Sequence, residues 1–131
     1  FWWVNMKPGR PLAFGTIGST PLLALPGNPV AAMLGMMLFG VPAIRHMTGL
    51  NPYHLPTIQA RLATAIERKD GRRHYLRVTL ADGADGQVAS LTGDQGSGIL
   101  SSMVQADGLA IIPENVDPLE AGSPVQVISL R

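Results

Sequence analysis

The segment Leu25-Pro26-Gly27-Asn28-Pro29-Val30 decides how the chain is organised. It follows the apolar run Leu22–Leu25, which we interpret as a buried strand, and it opens the apolar run Val30–Val41, which we interpret as a buried helix. Asn28 is a favoured N-cap residue, and Pro29 stands at the first helical position, where proline is best tolerated. The segment therefore predicts a strand–loop–helix corner, the unit from which α/β folds are built.

The start of this predicted helix is able to bind an anion. Its first backbone N–H groups have no partner inside the helix, and the helix dipole adds positive charge there. Most capped helices bind nothing, however, so the corner alone does not establish a site.

The composition of the 131 residues is that of a globular chain, with 46% hydrophobic and 15% charged residues. The net charge of +1 gives no electrostatic argument for nucleic-acid binding. Cysteine is absent, which excludes disulfides and thiolate metal sites and is compatible with a reducing compartment, so we expect a cytoplasmic protein. Because the chain begins at Phe1, we expect it to be the C-terminal piece of a longer protein.

One apolar stretch raises the question of a membrane span. Leu22–Ile44 carries no charge and is long enough to cross a bilayer. The segment Pro26–Pro29 interrupts it, and Pro42 is expected to kink the helix, which leaves only Val30–Val41. That length is too short for a span, so we expect a buried core helix and no membrane contact.

Elsewhere the pattern predicts short strands and turns. Before the corner it predicts a strand Phe1–Met6, a turn Lys7–Pro11, a strand Leu12–Gly15 and a loop Thr16–Pro21. After a linker at Asn51–Pro56 it predicts strands at Thr57–Glu67 (where a helix Ala60–Arg68 is also acceptable), His74–Leu80, Gln87–Leu91, Leu109–Ile112 and Val125–Leu130, with a hairpin at Asp82–Gly86 and a short helical element at Ile99–Gln105. This spacing indicates a small β-barrel or sandwich over residues 55–131.

Two further segments are able to carry chemistry. Lys7 and Arg10 flank a tight turn and could clamp a phosphate, although a solvated turn explains them equally well. The loop Gly93–Gly98 could surround an anion with backbone amides, with Ser97 adding a hydroxyl, but a strand connection would look the same. We interpret the basic stretch Arg68–Arg73 as a solvated hairpin tip. The three histidines are not spaced as metal ligands.

Three blocks of this sequence, in order, resemble the molybdopterin molybdenumtransferases, the family of bacterial MoeA and the gephyrin E domain. They are Met6–Gly15, Leu25–Val30 and Gly96–Ser102, the last continued by Ala106–Leu109. The resemblance implies α/β plus all-β architecture. Residues 1–48 would be the C-terminal part of a molybdopterin-binding, MogA-like α/β domain, 49–56 a linker, and 57–131 the C-terminal β-barrel domain.

The resemblance also implies an activity for the full-length protein. The family inserts molybdate into adenylylated molybdopterin (molybdopterin-AMP) and releases AMP, with Mg²⁺ present, as a homodimer in molybdenum cofactor biosynthesis. The implied catalytic residue is Lys7, and the implied substrate-binding residues are Arg10, Pro26, Gly27, Asn28, Pro29 and Ser97. The first 66 residues contain no carboxylate. The Mg²⁺ ligands are therefore expected upstream of Phe1, no metal ligand is assigned here, and the isolated 131 residues are expected to be inactive.

This chain departs from the family pattern at two positions. Trp3 stands where many members have a second lysine, and Arg10 stands where lysine is common. Arg10 keeps the charge with a different geometry, whereas Trp3 removes one anion contact. Two alternatives stay open: a paralogue with altered metal (tungstate) or ligand preference, and a non-catalytic, gephyrin-like scaffold or binding module.

Overall fold

The structure, a computed structural model, describes residues 1–116 and 118–131. Its strands are β1 (Met6–Lys7), β2 (Ala13–Ile17), β3 (Thr20–Ala24), β4 (Thr57–Leu62), β5 (Arg73–Gly83), β6 (Gly86–Leu91), β7 (Gly108–Ile112) and β8 (Pro124–Ser129). Its helices are α1 (Pro29–Gly35), a π-helical turn (Met36–Gly40), α2 (Val41–Met47) and α3 (Leu100–Gln105). The α/β part and the all-β part predicted from the sequence are both present.

The predicted helix begins as expected and continues through Pro42 to Met47. Asn28 occupies the N-cap position and Pro29 the first helical position. The helix does not end before Pro42, because α1, the π-helical turn and α2 follow one another without a break. The backbone carbonyls ahead of Pro42 are engaged in the wider π-type pattern, in which the amide of Val41 bonds to Met36. This turn makes room for a ring that would otherwise collide with the preceding turn.

The length of this helix bears on whether it could span a membrane. Among the described residues, Pro29–Met47 is the one helix long and apolar enough to cross a membrane, with 19 residues. The expectation that Pro42 leaves too short a segment is therefore wrong. One third (33%) of the apolar stretch of this helix is buried against the rest of the chain. A core helix can be equally long and apolar, so this helix is weak evidence for a membrane span.

The segment preceding this helix is a β-hairpin with an exposed face. β2 and β3 pair antiparallel from Ala13↔Ala24 to Ile17↔Thr20, so the predicted loop Thr16–Pro21 is in fact mostly strand. The expectation of a buried strand at Leu22–Leu25 is also wrong, because Leu22 is 46% and Leu25 38% exposed. The hairpin is a two-stranded sheet, and most of its side chains have no layer packed over them in the described residues.

The predicted strand Phe1–Met6 is reduced to its end. Only Met6 and Lys7 form β1, which pairs parallel with β5 through Met6↔Arg73 and Lys7↔His74. Phe1 instead exchanges backbone hydrogen bonds with Phe14, at 3.0 and 2.9 Å, and their rings stack. The first residues therefore connect the hairpin to the barrel sheet.

Five strands close into a barrel. Their order is β5-β6-β4-β8-β7, and β7 pairs back onto β5. The sequence left a barrel and a sandwich open, and the β5–β7 pairing decides for the barrel. β4 is a strand over Thr57–Leu62, so the helix considered at Ala60–Arg68 is absent from this described stretch. The barrel interior is filled by small and branched side chains, including Leu76, Val78 and Val127.

A second apolar core joins the helix to the outside of the barrel. Tyr75 alternates with Leu76 and Val78 along β5, so it points out of the barrel. There it packs in one buried cluster with Met6, Val30, Leu34, Met103, Leu109 and Ile128. This packing holds the corner at residues 26–29 against the barrel. The domain boundaries 1–48, 49–56 and 57–131 stay a prediction.

Candidate functional site

A cleft of about 790 Å³ lies where the N-terminal segments meet the barrel. Five of the seven predicted site residues line it: Lys7, Arg10, Pro26, Asn28 and Ser97. They come from three separate segments of the sequence, which the fold brings to one place. Gly27 and Pro29 are not among the described residues that line the cleft, so their predicted role would be exerted through the shape of the corner.

The first wall of the cleft is the turn that carries Lys7 and Arg10. Gly9 has a φ of +104°, and a Cβ there would lie 2.5 Å from the terminal carbon of Met6, so the turn requires glycine. The side chain of Lys7 is 53% exposed, and its Nζ lies 3.8 Å from Oδ2 of Asp70. The turn thus presents an accessible ammonium group to the cleft.

Arg10 is held by an aromatic ring. Its guanidinium carbon lies 4.5 Å from the ring centre of Trp3, within the range of a cation–π interaction. Trp3 is 57% exposed, so the ring forms an open platform at the edge of the turn. Trp3 therefore contributes no charge itself and contacts a neighbouring cation instead.

The second wall of the cleft is the corner that carries Asn28, and the third wall is the glycine-rich loop that carries Ser97. The Nδ2 group of Asn28 donates to Oγ of Ser97 at 2.9 Å, a contact between residues 69 positions apart. Asn28 consequently makes no side-chain cap bond to its helix within the described residues, contrary to what its N-cap position predicts. Its Oδ1 atom is buried without a hydrogen-bond partner in that part of the chain. The pair thus leaves one buried acceptor unused at the cleft.

Arg77 fixes the glycine-rich loop that carries Ser97. The side chain is 1% exposed, its Nη2 donates to the carbonyl of Gly96 at 2.9 Å, and its Nε donates to Oγ of Ser102 at 3.0 Å. The backbone N–H of Arg77 also donates to Oε1 of Gln95 at 2.8 Å. Burial lowers the pKa of Arg77, and the charge of Asp94 partly opposes this. Nη1 is buried with no partner among the described residues.

Sequence reasoning missed Arg77 as a site residue. The alternation along the strand does place Arg77 on the same face as Tyr75, opposite Leu76 and Val78. Nothing in the local pattern shows that a loop more than ten residues further along folds over it. The available signal in the sequence was an arginine in the first strand of the hairpin β5–β6, the hairpin that leads into the glycine-rich loop.

A second cluster lies around Asp70, in the stretch interpreted as a solvated hairpin tip. Oδ1 of Asp70 lies 2.8 Å from Nε2 of His74, and Oδ2 accepts from Arg72 at 2.7 Å. Partial burial acts to raise the pKa of Asp70, but hydrogen bonds from His74 and Arg72 outweigh it and hold that pKa well below its usual range. Arg68 is only 7% exposed, so the solvated-tip interpretation is wrong.

The charge in the cleft is predominantly positive. Its lining includes five basic side chains, against two acidic ones; they are Lys7, Arg10, Arg72, His74 and Arg77, and Glu67 and Asp94. Such a surface favours phosphate or another oxyanion. In residues 1–116 and 118–131 no group of three or more metal-binding side chains could hold a metal ion. The described residues therefore fit an anion and do not by themselves form a Mg²⁺ site.

Comparison with known proteins identifies the family to which this chain belongs. A mixed α/β region followed by a closed barrel occurs in the crystal structure of the molybdopterin biosynthesis MoeA protein from Pyrococcus horikoshii OT3. That structure has a TM-score of 0.78 and 28% identity, over 97% of this chain and 31% of the other. The sequence profile of the MoeA C-terminal region (domain IV) matches residues 59–130. The chain belongs to this family, and the resemblance drawn from the sequence is confirmed.

Relatives show the same similarity along nearly the whole chain. Molybdopterin molybdenumtransferase 2 of Mycobacterium tuberculosis is 36% identical over 127 residues, which are 97% of this chain and 31% of the relative. Gephyrin of Dictyostelium discoideum is 34% identical over 149 aligned positions, covering 95% of this chain and 21% of the relative. The chain thus spans about a third or less of the length of these relatives.

Proposed function

We propose that this chain is part of a molybdopterin molybdenumtransferase acting in molybdenum cofactor biosynthesis. The full-length protein would insert molybdate into adenylylated molybdopterin and release AMP. The observation that carries the proposal is the convergence of Lys7, Arg10, Asn28 and Ser97, from three separate segments, in one basic cleft. The names of the relatives supply the reaction class, and the cleft supplies a place for its anionic groups.

Lys7 is the proposed catalytic residue. Its ammonium group is exposed at the cleft and can stabilise the negative charge that develops on phosphate oxygens as the bond to AMP breaks. Arg10 would hold a second anionic group at the mouth of the cleft. Trp3 fixes its guanidinium there, so the geometry of this contact would differ from that of the lysine common in the family.

The corner and the glycine-rich loop form the remaining contacts of the proposed site. The orphaned Oδ1 of Asn28 and the hydroxyl of Ser97 can bind polar groups of the substrate. Pro26 lines the cleft directly, while Gly27 and Pro29 shape the corner that presents Asn28. A requirement for Mg²⁺, a homodimeric state and a cytoplasmic location are also proposed for the full-length protein. The role proposed for Lys7 does not depend on the metal.

The test is turnover by the full-length protein. Supplied with adenylylated molybdopterin and molybdate, it should release AMP, and Lys7→Ala should reduce kcat by about a hundredfold or more. Lys69→Ala is the matched control, because Lys69 is an exposed lysine outside the cleft lining. Wild-type rates in Lys7→Ala would remove Lys7 from the mechanism. Absence of AMP release by the wild-type protein would contradict the proposed reaction itself.

A further inference from the structure

Asp70 is a carboxylate at the point where β1 meets the barrel. The turn that carries it is fixed to β1, because Nδ2 of Asn5 donates to the carbonyl of Gly71 at 3.2 Å and the amide of Arg73 donates to the carbonyl of Asn5 at 3.1 Å. Lys7 and His74 are direct neighbours in the register of β1 and β5. Asp70 therefore faces the cleft residue Lys7 from a defined position.

The contacts of Asp70 differ in tightness. Arg72 donates to Oδ2 from two nitrogens, at 3.1 and 2.7 Å, and His74 lies 2.8 Å from Oδ1. The Nζ of Lys7 is 3.8 Å from Oδ2, which is an ion pair and longer than a hydrogen bond. Both carboxylate oxygens are thus held by the barrel, while the ammonium of Lys7 is held weakly and can move.

We propose that Asp70 is an internal counter-anion that holds Lys7 in the resting protein and that an anionic substrate displaces it from Lys7. Asp70 would act on the substrate only through Lys7 and is therefore a positioning residue. The inference rests on the proposed function of the cleft and adds a regulating element to it: the carboxylate keeps the ammonium oriented and lowers the affinity for weakly charged anions.

The displacement costs little because Asp70 stays neutralised when Lys7 leaves. Arg72 and His74 continue to hold both oxygens, and the hydrogen bonds that keep the pKa of Asp70 low also keep it ionised. A phosphate group with two charges attracts Lys7 more strongly than a single carboxylate that is already shared with two other donors. Lys7 therefore exchanges one anion for another without leaving the carboxylate of Asp70 unpaired.

The experiment measures binding of inorganic pyrophosphate to the full-length protein by calorimetry. Asp70→Asn keeps the shape and an acceptor oxygen but removes the charge, and it should tighten the dissociation constant by about two- to fivefold. Glu114→Gln is the matched control: it removes one negative charge from the ion pair with Arg73, outside the cleft, and should leave the affinity unchanged.

The Lys7→Gln background separates this inference from the proposed function. Lys7→Gln alone should weaken pyrophosphate binding, and adding Asp70→Asn should then give no gain. If Lys7→Gln weakens binding but Asp70→Asn gives no gain in the wild-type background, the counter-anion role is overturned while the anion site stands. If Lys7→Gln changes nothing, both are overturned.

A measurement on the wild-type protein covers the case in which Asp70→Asn does not fold. Titration with pyrophosphate should shift the side-chain ¹⁵Nζ resonance of Lys7 and the ¹³Cγ resonance of Asp70 together. The ring resonances of His74 should stay nearly constant, since its contact with Asp70 persists. A shift at Lys7 with none at Asp70 would contradict the exchange of partners.

Discussion

Replacing Arg77 by methionine should release the glycine-rich loop from the barrel. Methionine has a similar length and no charge, so the barrel face stays filled while two side-chain hydrogen bonds are lost, to Gly96 and to Ser102. The hydroxyl of Ser102 keeps its bond to the carbonyl of Ile99, whereas the carbonyl of Gly96 loses the side-chain donor that holds it. The substitution should therefore reduce mainly the stability of the loop.

Two opposing contributions determine the change in the stability of the loop. Hydrogen bonds from a charged group contribute about 1.5–3 kcal/mol each, so two of them amount to about 3–6 kcal/mol. Removing a buried charge with one unsatisfied nitrogen returns about 1–4 kcal/mol. We expect a net loss of about 2 kcal/mol in the stability of the loop, which corresponds to about thirtyfold faster amide exchange.

Hydrogen–deuterium exchange of the full-length protein reports this directly. Peptides covering residues 93–105 should exchange faster in Arg77→Met, and pyrophosphate affinity should fall because Ser97 and Asn28 lose their fixed separation. Arg61→Met is the control, since its exposed side chain donates to the carbonyl of Gly122 on another part of the barrel. Unchanged exchange over residues 93–105 would refute the role assigned to the buried guanidinium.

Two further outcomes are expected. Trp3→Leu should weaken pyrophosphate binding in calorimetry by about two- to fivefold, the value of an exposed cation–π contact to Arg10, whereas Trp2→Leu should not; equal effects would remove Trp3 from the site. Because the pKa of Asp70 is lower in the folded than in the unfolded chain, its contribution of about 1 kcal/mol is present above the usual carboxyl pKa and is lost as the pH falls towards the folded value. The stability difference between wild type and Asp70→Asn in urea unfolding should thus shrink below about pH 4; a difference that grows on acidification would contradict the assignment.

Local chemistry made the corner predictable. Asn28 and Pro29 have strong positional preferences, and the helix begins where those preferences place it. The side chain of Asn28 still bonds elsewhere, because Ser97 is brought within reach by the tertiary fold. A propensity describes a position in the chain, and it carries no information about a partner 69 residues away.

Burial was harder to predict than secondary structure. The apolar run at Leu22–Leu25 does form a strand, yet its side chains are exposed, because hydrophobicity indicates a tendency to be covered and not what covers it. The basic run Arg68–Arg73 shows the reverse case. Its composition predicts a solvated turn, but Arg68 is buried and its Nη2 donates to the carbonyl of Val116, 48 residues further along the chain. Both differences arise from long-range packing.

A crystal structure of the full-length protein with bound AMP would show whether the cleft beside Lys7 binds the phosphate of the substrate. We expect phosphate oxygens within hydrogen-bond distance of Nζ of Lys7, between the turn at residues 7–11 and the loop at residues 93–98, with Nζ drawn away from Asp70. AMP bound at another surface, with Lys7 still paired to Asp70, would contradict this expectation.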